Sequence, residues 1–203
     1  MKLKMGLFAA SAIVAVSAMP ATAATTVTFE GLADRVLVNN YYNGGTASNG
    51  TSGTNLGVAF ANFESFAGGG NPASTIAYNS VATASSNFAA GFTTLNFLYG
   101  FFSSGTVSVF SGLNGTGTLL GTKTYSSNIA STSDVFSSGS VAFAGTAQSF
   151  ILAGTTNNNA LDNITFNAGA VPETATWGMM IAGFGMMGAA MRTRRRSTTI
   201  TFA

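Results

Sequence analysis

The run Leu95-Asn96-Phe97-Leu98-Tyr99-Gly100-Phe101 places Leu95, Phe97, Tyr99 and Phe101 at every second position, so an extended chain turns all four to one face. It reads as a central strand. Around it Gly, Ser, Thr and Asn abound, and short apolar runs are separated by turn residues, a pattern that fits an all-β sandwich and not helices. Segment 106–110 follows Ser103-Ser104-Gly105, and segment 118–125 follows the turn-rich Ser111-Gly112-Leu113-Asn114-Gly115-Thr116-Gly117, so the two are expected to form a hairpin. Further strands are expected at 26–30, 58–63, 75–82, 140–143, 149–153 and 161–166. Eight or nine short strands suit a jelly roll, so the expected fold is all-β, a single jelly-roll-like β-sandwich. The polar, Gly-rich stretch 39–55 reads as a long loop at one end of that sandwich.

The two ends read differently. Lys2 and Lys4 precede an apolar stretch from Met5 to Ala18, and the small residues Ala21 and Ala23 satisfy the rule for signal cleavage, so residues 1–23 read as a signal peptide cut after Ala23. Near the C-terminus an uncharged run from Ala175 to Met191 precedes Arg192, Arg194, Arg195 and Arg196. At about 1.5 Å per residue that run makes a helix of roughly 25 Å, just enough for a thin hydrocarbon layer. Met179, Met180, Ile181, Phe184, Met186 and Met187 surround the whole helix and do not form one stripe, which points to a membrane helix and away from an amphipathic one. The basic cluster keeps the C-terminus cytoplasmic and Trp177 sits where an interfacial anchor would, so everything before Trp177 faces outward. The expected organisation is therefore a signal peptide over 1–23, one β-sandwich domain over 24–170 and a sorting segment over 171–203. Within the last, a transmembrane helix covers about 175–191 and a basic tail covers 192–203.

The C-terminal residues carry a resemblance. Pro172, Glu173, Trp177, Met179, Met180, Ile181, Gly183, Phe184 and Gly185, followed by the Arg cluster, resemble the PEP-CTERM sorting segment of Gram-negative bacteria in its Pro-Glu-Pro-x-x-Trp-Ala variant. Thr174 stands where that pattern has its second proline and Gly178 where it has alanine. The resemblance implies processing by a dedicated membrane enzyme, an exosortase, reading Pro172, Glu173, Trp177, Arg194, Arg195 and Arg196. It implies an inner-membrane-anchored precursor and then delivery to the cell surface or extracellular matrix. The same segment is also labelled an ice-binding protein C-terminal domain; that label describes the sorting tail and implies no ice-binding surface. In the centre, Phe29-Glu30-Gly31-Leu32, Val107-Ser108-Val109-Phe110-Ser111-Gly112 and Ala160-Leu161-Asp162-Asn163-Ile164-Thr165-Phe166 resemble the lectin-like or carbohydrate-binding-module-like jelly rolls found ahead of such signals. A shared fold does not by itself transmit function.

Composition narrows the chemistry. Most basic residues lie in the two end segments; between positions 24 and 171 only Arg35 and Lys123 face Glu30, Asp34, Glu64, Asp134 and Asp162, a net charge of −3. No basic face is available for nucleic acid. There is no Cys, so stability must come from a packed core and not from disulfides. With neither His nor Cys there is no imidazole base, thiolate, or ordinary zinc or copper site. A pair of carboxylates can hydrolyse glycosides, yet none of the five sits in a recognisable catalytic setting.

Two groups of residues remain as candidate sites. Glu30 and Asp162 lie in apolar strand phrases near the two ends of the domain; if the terminal strands pair, the two carboxylates approach and offer hard oxygens for a structural Ca²⁺. The alternative is that Asp162-Asn163 shapes a turn or bulge and Glu30 is solvated. Tyr41 and Tyr42, bracketed by Asn39, Asn40 and Asn43, offer stacking and amide hydrogen bonds to a glycan; alternatively one of them closes the sandwich edge. The reading is an exported, non-catalytic protein of the cell surface or exopolysaccharide matrix. Its alternative is a carbohydrate-binding module, with a glycoside hydrolase third. No cofactor is expected beyond the Ca²⁺. The expected partners are the exosortase, the membrane through the C-terminal helix, and exopolysaccharide.

Overall fold

A computed structural model describes residues 24–70 and 72–167, together with scattered helical positions between Gly178 and Arg192. Ala21, Ala23, Pro172, Glu173, Trp177, Arg194, Arg195 and Arg196 lie outside the described residues. Among those described, no helix is long and apolar enough to cross a membrane. Thr22–Val171 forms a compact unit of its own.

That unit is an all-β sandwich of two antiparallel sheets. Its strands are β1 (Ala24–Val27), β2 (Val58–Ala61), β3 (Phe63–Gly69), β4 (Ser74–Asn79), β5 (Thr83–Phe92), β6 (Thr94–Phe101), β7 (Gly105–Phe110), β8 (Leu119–Tyr125), β9 (Ser137–Val141), β10 (Ala147–Gly154) and β11 (Asn159–Asn167). The first sheet runs β3-β4-β11-β6-β9, with β1 also paired to β11; the second runs β2-β5-β10-β7-β8. From β4 onward the chain crosses between the sheets at almost every connection, so strands adjacent in sequence face each other across the core.

Alternation explains what fills the space between the sheets. Leu95, Phe97 and Phe101 of β6 are buried, as the period-two pattern requires, while Tyr99 is half-buried against the same core. β7 buries Val107 and Val109 and leaves Thr106 and Ser108 outward, where they join a hydroxyl ladder to Thr124 and Thr122 of β8. The expected hairpin is therefore present, paired from Gly105↔Tyr125 to Phe110↔Leu119. Phe166 is fully buried, with ring centroids 5.4, 5.1 and 6.1 Å from Phe88, Phe92 and Phe150. Aromatic packing of this kind supplies the core that disulfides do not.

Four expectations need correction. Segment 58–63 is not one strand: it breaks at Asn62, whose φ of 62° turns the chain from the second sheet into the first. Asn tolerates that left-handed conformation better than most residues. The strand expected at 26–30 ends at Val27, because Phe29 adopts φ 60° while remaining fully buried. The strand expected at 75–82 ends at Asn79, whose side-chain amide donates to the carbonyls of Val81 and Thr155. The sandwich has eleven strands where eight or nine were expected: β3 beyond Phe63 was not foreseen, nor was the whole of β5. Its inward face carries Ala84 and Ser86 beside Phe88, so the alternation is real but the hydrophobic contrast is faint.

Candidate functional site

The structure places Tyr41 and Tyr42 in the core, which corrects their assignment as a glycan platform. They are 7% and 5% exposed. Tyr42 packs edge-on against Phe29 and Phe60, and the two tyrosine rings meet edge to face at 4.8 Å. Gly53 lies against the Tyr41 ring so closely that even a methyl group there would enter it. With both faces taken by protein, neither ring can stack on a sugar. The loop containing them is tied down from within: the carbonyl of Tyr42 accepts from the N–H groups of Leu56 and Val58.

Glu30 and Asp162 are brought together. β1 runs antiparallel to the end of β11 with Val27 opposite Ile164, so the chain leaving β1 passes Asp162. Both carboxylates line one cavity of about 340 Å³, with Thr28, Gly70, Ser74 and Leu98. Glu30 Oε1 accepts from the Thr75 N–H at 2.9 Å. Asp162 Oδ2 accepts from the Ser74 hydroxyl at 3.0 Å, and its Oδ1 from the Asn163 N–H at 2.7 Å. Burial pushes the Asp162 carboxyl up to about 6, reinforced by the charge of Glu30, against the lowering effect of those two hydrogen bonds. The bulge reading of Asp162-Asn163 also holds, since the register against β6 shifts between Asp162 and Thr165 and Asn163 has φ 48°. Two carboxylates with free lone pairs are hard donors that suit Ca²⁺, which would draw its other oxygens from backbone and water. Among the described residues no group of three or more acidic, His or Cys side chains forms.

The most developed binding geometry lies elsewhere, on the outer face of the first sheet. There Phe66 of β3, Ile76 and Tyr78 of β4, Ala160 of β11 and Phe136 form a small apolar cluster separate from the core. It floors a cavity of about 250 Å³. Arg35 leans over this floor, its guanidinium 5.1 Å from the Phe66 ring centroid and 5.4 Å from that of Tyr78. Arg35 Nη1 donates to the Tyr78 hydroxyl at 2.6 Å, and that hydroxyl in turn donates to Glu64 Oε1. Burial and the Glu64 hydrogen bond push the Tyr78 hydroxyl up to about 12, so it stays protonated as the link between cation and carboxylate. Asn157 and Asn158 stand at the mouth beside Phe102, whose N–H donates to the Asn158 carbonyl at 2.8 Å. Phe102 is 37% exposed. Phe136 reaches the floor because Gly100 has no side chain; a methyl group at Gly100 would occupy the ring's place.

Sequence reasoning missed this cavity, whose residues are brought together by strand pairing. In β4 every residue from Thr75 to Asn79 is buried, so the strand is covered on both faces. The apolar pair Phe66/Ile76 and the polar pair Glu64/Tyr78 are direct cross-strand partners on the outer side.

No protein-family model and no curated protein matches the chain. The chain is similar to three solved structures. A module named CsCBM6-3 from Clostridium stercorarium, in complex with cellobiose, has 18% identity over 55% of this chain and 87% of that one, with a TM-score of 0.38. The K2 cleaved adhesin domain of Lys-gingipain has 16% identity over 71% and 99%, with a TM-score of 0.44. A family 6 carbohydrate-binding module has 16% identity over 68% and 95%, with a TM-score of 0.37. Each likeness is one of fold.

Proposed function

We propose that this chain is an exported, non-catalytic carbohydrate-binding protein of the cell surface or exopolysaccharide matrix, built on a jelly roll. The observation that carries this reading is the outer-face cavity, where aromatic walls meet the Arg35 guanidinium, Tyr78 and two asparagines, Asn157 and Asn158. A sugar ring has apolar C–H faces and a polar hydroxyl edge. Recognition therefore needs an aromatic surface for the first and directional donors and acceptors for the second. Phe102 and Phe136 supply the surface; Arg35, Tyr78, Asn157 and Asn158 supply the edge. With two basic residues in the domain, a polyanion has little to hold it.

The test is a glycan array probed with the full chain and with two variants. Phe102 is exposed, so Phe102→Ala should fold normally and lose most of the signal, at least tenfold in affinity; Arg35→Gln should do the same. Unchanged binding in both variants, or no glycan bound at all, would remove the assignment. Release of reducing sugar that disappears in Asp162→Asn would instead make the protein a hydrolase working through Glu30 and Asp162.

Delivery rests on the two ends. The signal peptide and the PEP-CTERM-like segment support export, membrane anchoring and exosortase processing, which frees residues from about Ala24 to the region before Trp177. Mass spectrometry of the surface-released form is expected to find neither terminus. Recovery of an intact Arg194-Arg195-Arg196 peptide from that fraction would sink the sorting reading. A Ca²⁺ at Glu30 and Asp162 would be structural, tying the chain after β1 to β11 on the outer face of the first sheet.

A further inference from the structure

The chain contains three Asn-Gly pairs, Asn43-Gly44, Asn49-Gly50 and Asn114-Gly115, and all three asparagines are exposed. Such a pair is chemically labile because glycine has no Cβ to keep its nitrogen away from the preceding side chain. The glycine nitrogen, once deprotonated, attacks the asparagine Cγ. The new N–Cγ bond closes a succinimide, the Cγ–Nδ2 bond breaks, and ammonia leaves. Water then opens the ring at either carbonyl, giving aspartate or isoaspartate, the second with one extra methylene in the main chain. Two conditions decide the rate: the glycine N–H must not be held as a donor, and the asparagine side chain must be able to turn onto it. Asn114 meets neither, since its Oδ1 accepts from Asn87 Nδ2 at 2.8 Å and the Gly115 N–H donates to Ser149 Oγ at 2.9 Å. Asn49 meets neither, since its Oδ1 accepts from the Thr51 N–H at 3.1 Å and the Thr51 hydroxyl at 2.7 Å, while the Gly50 N–H donates to the Ala47 carbonyl at 3.0 Å. Asn43 meets both. Among the described residues neither its side-chain amide nor the Gly44 N–H has a hydrogen-bond partner.

We propose that Asn43-Gly44 is a site of spontaneous deamidation and backbone isomerisation, and that the change unfastens the loop covering Tyr41 and Tyr42. The chemistry needs only water, so it is independent of the carbohydrate-binding reading. Its effect follows from where the extra methylene falls. The Asn40 carbonyl accepts from the N–H groups of Asn43 and Gly45 at 2.9 and 3.0 Å, closing a tight turn around Asn43-Gly44. Gly45 is seated so closely that even a methyl group there would meet the Asn40 side chain, so the turn has no slack for a longer main chain. Immediately before the site, the Tyr42 carbonyl accepts from the N–H groups of Leu56 and Val58 at 2.8 and 3.1 Å, the bonds that tie the loop to the start of β2. An isoaspartate between these fixed points must open one set or the other. It also adds a negative charge to a domain already at −3.

Ageing the full chain in detergent at pH 8, with peptide mapping by mass spectrometry at intervals, tests the site. Asn43 is expected to convert at least tenfold faster than Asn49 or Asn114, with isoaspartate among its products. In denaturant the lead should vanish, because all three pairs then differ only in the residue before them. Hydrogen exchange tests the consequence: the Leu56 and Val58 amides should exchange at least tenfold faster in the aged chain than in the fresh one. Asn43→Gln, which closes the ring far more slowly, should keep the fresh pattern after the same ageing. Equal rates at the three pairs in the folded chain, or Asn49 or Asn114 ahead of Asn43, overturns the site. Aspartate without isoaspartate overturns the succinimide route. Conversion at Asn43 that leaves the Leu56 and Val58 amides as protected as before overturns the unfastening of the loop.

Discussion

Truncation of Phe166 to alanine is expected to cost about 3–5 kcal/mol, the range for removing a buried aromatic side chain from a close-packed core. Phe166 is fully buried at the centre of an aromatic group drawn from both sheets: Phe88, Phe92 and Phe150 come from β5 and β10, whereas Phe166 itself lies on β11. Its loss therefore leaves a void that three rigid rings on the opposite sheet cannot easily fill. Phe97→Ala should fall in the same range, since Phe97 is 3% exposed and packs edge-on against Tyr125. Denaturant unfolding of parent and variants measures the difference. A loss below about 1 kcal/mol for Phe166→Ala would mean that the two sheets do not share the core described above.

The sandwich was legible in the sequence wherever one strand face is large and apolar and the other polar. β6 and β7 meet that condition best, and so the central strand and the first strand of the β7–β8 hairpin were placed within a residue or two. It was not legible where burial does not depend on hydrophobic side chains. Ser65, Ser86 and Ser149 are fully buried yet look like loop residues in the sequence. Ser65 is accommodated by donating to the Ala33 carbonyl and accepting from the Val36 N–H, contacts set by a chain segment thirty residues away. No local pattern reports such a partner.

The same reasoning separates the two sequence-derived sites. Glu30 and Asp162 were brought together because antiparallel pairing of the terminal strands is a topological inference that sequence phrases can support. Tyr41 and Tyr42 were misplaced because a polar, Gly-rich context was read as exposure. In this loop the small residues, Gly53 among them, are what allow the tyrosine rings to be buried beneath the chain. The aromatic cavity escaped notice for a related reason: Phe66, Tyr78 and Arg35 are separated in sequence, and only the pairing of β3 with β4 aligns them.

Asp162 gives the second large effect, and its direction depends on whether a cation is present. In EDTA, burial holds the folded-state carboxyl at about 6 against an ordinary value of 3.8, so folding favours the protonated form. That contribution is fully present below about pH 4 and is lost as pH rises through 6, so the metal-free chain should lose stability across this window. The shift corresponds to less than about 3 kcal/mol at roughly 1.4 kcal/mol per unit, reduced further because the cavity opens to water. Asp162→Asn cannot ionise and should flatten the profile, ending more stable than the parent at pH 7.5 in EDTA. Ca²⁺ reverses the comparison. Bound only to the folded, ionised pair, it should raise stability at pH 7.5 by about 2.7 kcal/mol at a hundredfold excess over its dissociation constant. It should do nothing at pH 4, and nothing to Asp162→Asn at either pH. Thermal melts at the two pH values, with EDTA and with millimolar Ca²⁺, separate the possibilities: a pH-dependent loss in EDTA without a Ca²⁺ response would leave Asp162 as a buried bulge residue. A profile flat from pH 4 to 7.5 in the parent would show that its carboxyl is not held above the ordinary range at all.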